Sequence, residues 1–417
     1  MGHIVALSIV QVSSMQEKLS IATFYNPRYD AEVRPASKLA KKPMTVVPSR
    51  YIRLQQEAAI ISDDILISKI PVIDMQNLLS ENSCKFVEHN MANLGGSLLV
   101  PCVQELAKKT IAVVPSRYIR PEQEAPIISD DALISEIPVI DMQSLLSGEL
   151  ENSELAKLDF ACKEWGFFQL VNHGVSSSFL EKLKKEIQEF FNLSMEEKKK
   201  YWQLPGEVEG FGQAFVVSEE QKLDWGDIFF MTTLPVHLRR PNLFPKLPLT
   251  PQDTLEVYSM EIKNSSSQFD LENGKKKVIG LTPHSDASGL TILLQINEVE
   301  GLQIKKNGKW LPVTPVLPNA FIVNIGDTLE IITNGTYRSI EHRATVNSVQ
   351  DRLSIATFYN PRYDGELRPA SSLISEKRPA SFRTITVEGY LKGLFARELR
   401  EKSCLDLVRI KHGQSYG

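Results

Sequence analysis

The sequence predicts an α+β protein: a double-stranded β-helix, or jelly-roll, core with flanking helices and an N-terminal helical and strand region. Two observations predict it. From residue 278 onward, short β-rich runs follow one another with turn residues between them, the pattern of a sandwich or barrel. Before that, between 148 and 264, apolar residues recur mostly at helical spacing.

In chain order, SELAKLDFACKEW (153–165) reads as a helix, FFQLVNHG (167–174) as a short strand, and 177–202 as one long amphipathic helix with a serine cap. QKLDWGDIFFMTTLP gives a strand bounded by Pro235, and PQDTLEVYSMEIKN (251–264) another helix that fades into a polar linker. The β-rich runs begin at 278–286, 290–296, 301–313, 320–327, 337–346 and 352–360. Asn307-Gly308 marks a hairpin within the third. DTLEIITNG interrupts them as a short helix, capped by Asp327 and stopped by Gly335.

With 417 residues, 47 Lys+Arg against 51 Asp+Glu and a net charge of -4, the chain has no basic field for nucleic acid or an anionic membrane surface. Its 42% hydrophobic content, 23 Pro and 22 Gly exclude collagen-like and disordered classes. Cys84, Cys102, Cys162 and Cys404 are scattered, without Cys-x-x-Cys, so thiols in a reducing compartment are expected. MGHIVALSIVQ lacks a basic region and a cleavage site, and Ala6 stands where a myristoylation motif wants Ser or Thr. The expectation is a cytoplasmic monomer that takes a small-molecule substrate.

Two duplications organise the chain. Residues 19–39 match 353–373 in 18 of 21 positions, and 46–80 match 113–147 in 29 of 35. Two copies do not make a solenoid. The order resembles the tail of one gene copy and the head of another joined before an intact start at Met91. The domains are then 1–44, a fragment of the C-terminal catalytic region; 45–90, a fragment of the leader; 91–250, an N-terminal domain; 272–380, the jelly roll; and 381–417, a C-terminal helix. Residues 1–90 are expected to be a poorly anchored, dispensable appendage.

Chemistry gathers in the jelly roll. His284 and Asp286 are i and i+2 on one β-rich run, and His342 lies on a later one. Two His and a carboxylate on one face of an ion form the facial triad of non-haem Fe(II) oxygenases. Zinc hydrolases use similar ligands, but His-Glu-x-x-His is absent. Arg352 and Ser354, again i and i+2, pair a guanidinium with a hydroxyl, a combination suited to the distal carboxylate of a dicarboxylate. This favours iron. His173, Trp165, Phe167 and Phe168 read as structural, Lys198–Lys200 and Lys275–Lys277 as solvated faces, and Asn324 and Gly326 as a lead into the Asp327 cap.

From Met91 the chain resembles plant 2-oxoglutarate/Fe(II)-dependent dioxygenases of the senescence-related and codeine O-demethylase-like branch. EWGFFQLVNHGV, GLTPHSDASGLTILLQ, NIGDTLEIITNGTYRSIEHRATVN and RLSIATFYNPRYD carry the resemblance. It implies Fe(II) held by His284, Asp286 and His342, and 2-oxoglutarate bound through Arg352 and Ser354. Reaction with O2 would yield succinate, CO2 and an oxidant that abstracts hydrogen from a specialised small metabolite, leading to hydroxylation, desaturation or O-demethylation. Phe358 is a candidate substrate-stacking residue by the same similarity.

The family also places two helices and an Asn-Tyr-Tyr-Pro-Pro-Cys-Pro strand where this chain has only NSSSQFDLENGKK. The resemblance implies that this strand would give a Tyr hydroxyl and an Asn amide to the co-substrate, so a gap in the sheet is expected. The early duplicate cannot supply a second metal site, because Ser8 and Lys18 stand where His342 and Arg352 do. Two alternatives remain at this point: a catalytically impaired relic of a tandem gene fusion, and a same-fold oxidase that does not use 2-oxoglutarate.

Overall fold

The computed structural model describes residues 2–10, 98–108, 114–120, 137–146 and 151–410, with short interruptions of which 244–250 and 266–278 are the longest. Gly2–Val10 is described as backbone. Met1–Ile21 and Glu88–Gly417 cluster as one unit. The early repeat copies at 19–39 and 46–80, and Lys275–Lys277, lie outside the described residues.

The described strands are β1 (Gly2–Val10), β2 (Val139–Asp141), β3 (Phe167–Val171), β4 (Gly210–Gly212), β5 (Gly226–Leu234), β6 (Ile279–His284) and β7 (Leu290–Gln295). They continue with β8 (Leu302–Lys306), β9 (Lys309–Val313), β10 (Phe321–Ile325), β11 (His342–Thr345), β12 (Arg352–Asn360), β13 (Glu366–Leu367) and β14 (Ile385–Thr386). An eight-stranded sheet runs β2-β3-β10-β7-β12-β1-β5-β4, and a four-stranded sheet runs β6-β11-β8-β9. The β8–β9 hairpin turns at Asn307 and Gly308, both with positive φ, as an Asn-Gly two-residue turn requires.

One expectation is overturned here. Residues 1–90 are expected to be a poorly anchored appendage beside a gapped sheet, and this fails for Gly2–Val10, because β1 runs antiparallel to both β12 and β5 inside the larger sheet. GHIVALSIV is rich in β-branched and apolar residues and contains no proline, so it can occupy an interior strand position whatever its origin.

Other boundaries move for local reasons. The long helix expected over 177–202 stops at Asn192, because Leu193 is extended and Ser194 caps a new turn, Met195–Lys198, by accepting from the Glu197 N–H. The C-terminal region is two helices, Val387–Phe395 and Ser403–Val408, rather than one. Lys198 is buried instead of solvated; its ammonium donates to Gln104 Oε1 at 2.5 Å and to the Phe191 carbonyl at 2.6 Å.

The helix Ser177–Asn192 buries Leu180, Leu183, Ile187, Phe190 and Phe191, one face at helical spacing, and Phe190 stacks on Phe229 of β5 at 4.7 Å. This packing backs the larger sheet and leaves its other face to the site.

The helix Asp327–Ile332 is entered through Gly326, not capped by the Asp327 side chain, which instead accepts from Ser339 Oγ and the Tyr390 hydroxyl. A Cβ on Gly326 would lie 2.1 Å from the Ser288 carbonyl oxygen, and the next N–H, of Asp327, donates to the Asp286 carbonyl at 2.7 Å. Gly326→Ala is therefore expected to push the 286–288 loop outward and cost about 1–3 kcal/mol, read as a lower melting temperature. An unchanged melting temperature would show that the loop yields freely.

Candidate metal centre and co-substrate pocket

His284 closes β6, His342 opens β11, and the two face each other across the ladder with ring centroids 4.3 Å apart. Asp286 lies two residues past the end of β6 rather than on it, so the loop, not strand periodicity, aims its carboxylate. Its Oδ1 sits 3.5 Å from His284 Nε2 and 3.7 Å from His342 Nε2. One ligand atom from each of the three buried side chains falls within 4.8 Å of the others.

Each group is prepared by its neighbours. His284 Nδ1 lies 2.7 Å from the Thr282 carbonyl and His342 Nδ1 3.2 Å from that of Ile340. A carbonyl only accepts, so each Nδ1 carries the hydrogen and each Nε2 lone pair is left for an ion. Asp286 Oδ2 accepts from Thr291 Oγ1 at 2.5 Å and Asn324 Nδ2 at 2.8 Å, which leaves Oδ1 toward the histidines.

The charges are mutually dependent. Burial opposes the Asp286 carboxylate, but His342, His284 and Asn324 outweigh it and hold its pKa well below the usual carboxylate range. Burial also opposes a charged His284, yet the adjoining Asp286 raises it above 6.5. His342 is pushed down to about 4 by burial and by the charge of His284. The site thus holds one anion and favours a proton on His284 over one on His342.

Asn324 and Thr291 are the residues that sequence reasoning missed. The sequence makes Asn324 a lead into a helix cap, but it is a buried amide in the apolar strand FIVNI. That oddity was the available signal, since a buried amide needs a partner. Asn324→Ala is expected to weaken iron binding about 10–100-fold while the fold persists, checked by anaerobic titration. Unaltered affinity would mean that Thr291 alone fixes Asp286.

Arg352 and Ser354 share a cavity of about 150 Å³ with the triad. Arg352 is 2% exposed and has no carboxylate partner among the described residues. Its Nη1 donates to Ser354 Oγ at 3.2 Å, its Nη2 to Gln295 Oε1 at 3.3 Å, and its Nε has no partner. Burial lowers its pKa to about 10, so it remains a cation at neutral pH. A buried cation with an idle donor fits an anionic ligand such as a carboxylate.

Phe358 lies on the cavity wall, with Phe230 at 6.2 Å. Phe215 and Phe395 stack at 5.0 Å and 8° beside them, and neither was foreseen. Phe215 holds a φ of 67°, a strained conformation for a bulky residue. His173 instead builds a turn, within hydrogen-bond distance of the Asn319 carbonyl and stacked on Phe321. His237, His89 and His412 fall outside the described residues.

Residues 137–247 match the family described as non-haem dioxygenase in morphine synthesis N-terminal, and 258–361 match the 2OG-Fe(II) oxygenase superfamily. Protein SRG1 of Arabidopsis thaliana is 56% identical over 349 residues, covering 75% of this chain and 97% of that protein. The oxoglutarate-dependent flavonoid 7-O-demethylase 1 of Ocimum basilicum is 48% identical over 360 residues, covering 78% and 96%. Thebaine 6-O-demethylase of Papaver somniferum is 49% identical over 360 residues, covering 77% and 99%. The crystal structure of JOX2 in complex with 2OG, Fe and JA superposes with a TM-score of 0.66 at 31% identity, over 75% of this chain and 98% of that one.

These findings favour neither the relic nor the oxidase that dispenses with 2-oxoglutarate, and the continuous sheet removes the chief structural argument for a relic. The family's chemistry uses Fe(II), 2-oxoglutarate, O2 and a small organic substrate, and the buried group of two histidines and a carboxylate fits the metal. The chain belongs to the 2OG-Fe(II) oxygenase superfamily and is a 2-oxoglutarate/Fe(II)-dependent dioxygenase of specialised small-molecule metabolism.

Proposed function

We propose that His284 Nε2, Asp286 Oδ1 and His342 Nε2 hold the iron, that Arg352 and Ser354 bind the far carboxylate of 2-oxoglutarate, and that Phe358 with Phe215, Phe230 and Phe395 receives a flat, apolar substrate. The observation that carries this reading is the sharing of one cavity by the triad and an uncompensated buried cation. When bound, the metal and co-substrate together supply a one-electron oxidant for a C–H bond. The chain's own part is to keep both Nε2 lone pairs available, orient the dicarboxylate and exclude water with aromatic walls. Relatives named as flavonoid and thebaine O-demethylases support O-demethylation of a methoxylated polycyclic compound as the reaction.

Cys102, Cys162 and Cys404 are buried thiols, which supports a reducing, cytoplasmic setting. No described helix is long and apolar enough to cross a membrane.

Anaerobic titration with Fe(II) and then 2-oxoglutarate tests the assignment, the expected result being a saturable visible charge-transfer band. Iron uptake without the band would remove Arg352 and Ser354 from the co-substrate site.

A pH dependence follows from the two histidines. Iron needs both rings neutral. His342 is already neutral above about pH 4, whereas His284 keeps its proton to above 6.5. Iron affinity should therefore fall about ten-fold per pH unit below the His284 pKa and level off above it. In the metal-free chain the two act oppositely. The lowered His342 loses stability as pH falls from 6.5 toward 4, because the unfolded chain takes a proton that the folded one refuses. The raised His284 adds stability below 6.5. Iron affinity that is flat from about pH 8 to 5.5 would contradict the assignment.

A further inference from the structure

We infer that Gly2–Val10 is a replacement strand, supplied in cis from the N-terminal region, that closes the catalytic sheet and fixes the wall carrying Arg352 and Ser354. Every residue of β1, from Gly2 opposite Asn360 to Val10 opposite Arg352, has a register partner on β12. On its other side, positions from His3 to Val10 pair with β5, ending opposite Gly226. Both neighbours line the cavity, β12 through Arg352, Ser354 and Phe358 and β5 through Gly226, Ile228 and Phe230.

Adjacent strands lie about 4.8 Å apart, so β5 and β12 with an empty slot between them would stand about twice that distance apart, too far to bond each other. Without β1, each would present an unpaired ladder inside the sheet, and the wall would have to collapse or open. No described strand other than β1 pairs with β5 on that side. β1 is also not a copy of an equivalent strand, because Ser8 corresponds in the repeat to His342, which lies in the smaller sheet.

The arrangement is β-strand addition within one chain, where main-chain hydrogen bonds supply the affinity. It runs against the expectation of dispensability for Gly2–Val10. The link from β1 to turnover rests on the reading of Arg352 and Ser354 as the co-substrate site, whereas the pairing itself does not.

The full-length chain carries the test. Ala6→Cys combined with Ala356→Cys, register partners, should form an intramolecular disulfide under mild oxidation. Ala6→Cys with Thr357→Cys, one residue out of register and on the opposite face, should not. Leu7→Pro, which removes a ladder donor and strains the strand, should lower the melting temperature by about 5 °C or more and weaken 2-oxoglutarate binding about ten-fold or more.

A missing in-register disulfide, or a cross-link that forms only between chains, would overturn the proposal even if Leu7→Pro failed to fold. A Leu7→Pro protein that binds and melts like the parent would overturn it as well. A correct disulfide and lowered melting temperature, with no 2-oxoglutarate binding in the parent chain, would leave the strand in place and refute the co-substrate reading instead.

Discussion

Arg352→Ala is expected to raise the dissociation constant for 2-oxoglutarate by about 30-fold or more, since removing one member of a buried charge pair costs about 2–5 kcal/mol. Iron binding should stay within about two-fold of the parent, because Arg352 makes no hydrogen bond to His284, Asp286 or His342 among the described residues. Arg352→Lys should recover only part of the affinity, as an ammonium keeps the charge and loses the planar fork.

The sign on stability is opposite and discriminates further. Among the described residues the buried guanidinium has no carboxylate partner and its Nε has none at all. Replacing it with a neutral side chain of similar length, Arg352→Met, should leave the melting temperature unchanged or raise it while binding is lost. Gly301 shows how closely the pocket is fitted, for a Cβ there would lie 2.7 Å from Arg352 Cδ. A Met variant that both unfolds easily and still binds the co-substrate would make Arg352 structural.

The proposed metal and co-substrate residues could be picked out in the sequence because most of them form short local pairs, with His342 added from a later strand. His284 and Asp286 are two residues apart, as are Arg352 and Ser354, and β-rich runs surround them. Even so, the reason was partly different from the one expected, since Asp286 is placed by a loop that Asp327 N–H and Gly326 hold down.

Legibility failed where a residue's role is set by a partner far along the chain. Asn324 reaches Asp286 across 38 positions, and Lys198 meets Gln104 across 94. A lysine in the run KKK looks solvated until the fold brings an amide and a carbonyl to it. The failure over β1 has the same root. A nine-residue run with six apolar or β-branched residues states that a strand is possible, but only the open ladders of β5 and β12 give it a place. Judging residues 1–90 by what their parent copy packs against concealed that any compatible strand could fill the slot.

Asp286→Ala should reduce bound iron to background. The carboxylate is the only anionic group among the three candidate ligands, and two neutral imidazoles alone leave a divalent cation without compensating charge in a buried site. Asp286 is also the point on which the other elements converge, accepting from Thr291 and Asn324 through one oxygen and facing both histidines with the other. Its loss strands the buried Asn324 amide, at about 1–3 kcal/mol, while Thr291 Oγ1 keeps Ser288 Oγ as a partner. The metal-free variant should therefore melt at a lower temperature above pH 7. It should also release His284 from its raised pKa, since the carboxylate is what raises it. Asp286→Asn separates the two effects, because the amide oxygen still accepts from Asn324 and Thr291 while the negative charge is gone. Iron should be lost from both variants, with the melting temperature falling mainly in the alanine one. Full iron stoichiometry in either protein would refute the triad, and a histidine titration unchanged in Asp286→Ala would show that the carboxylate does not set the protonation of the site.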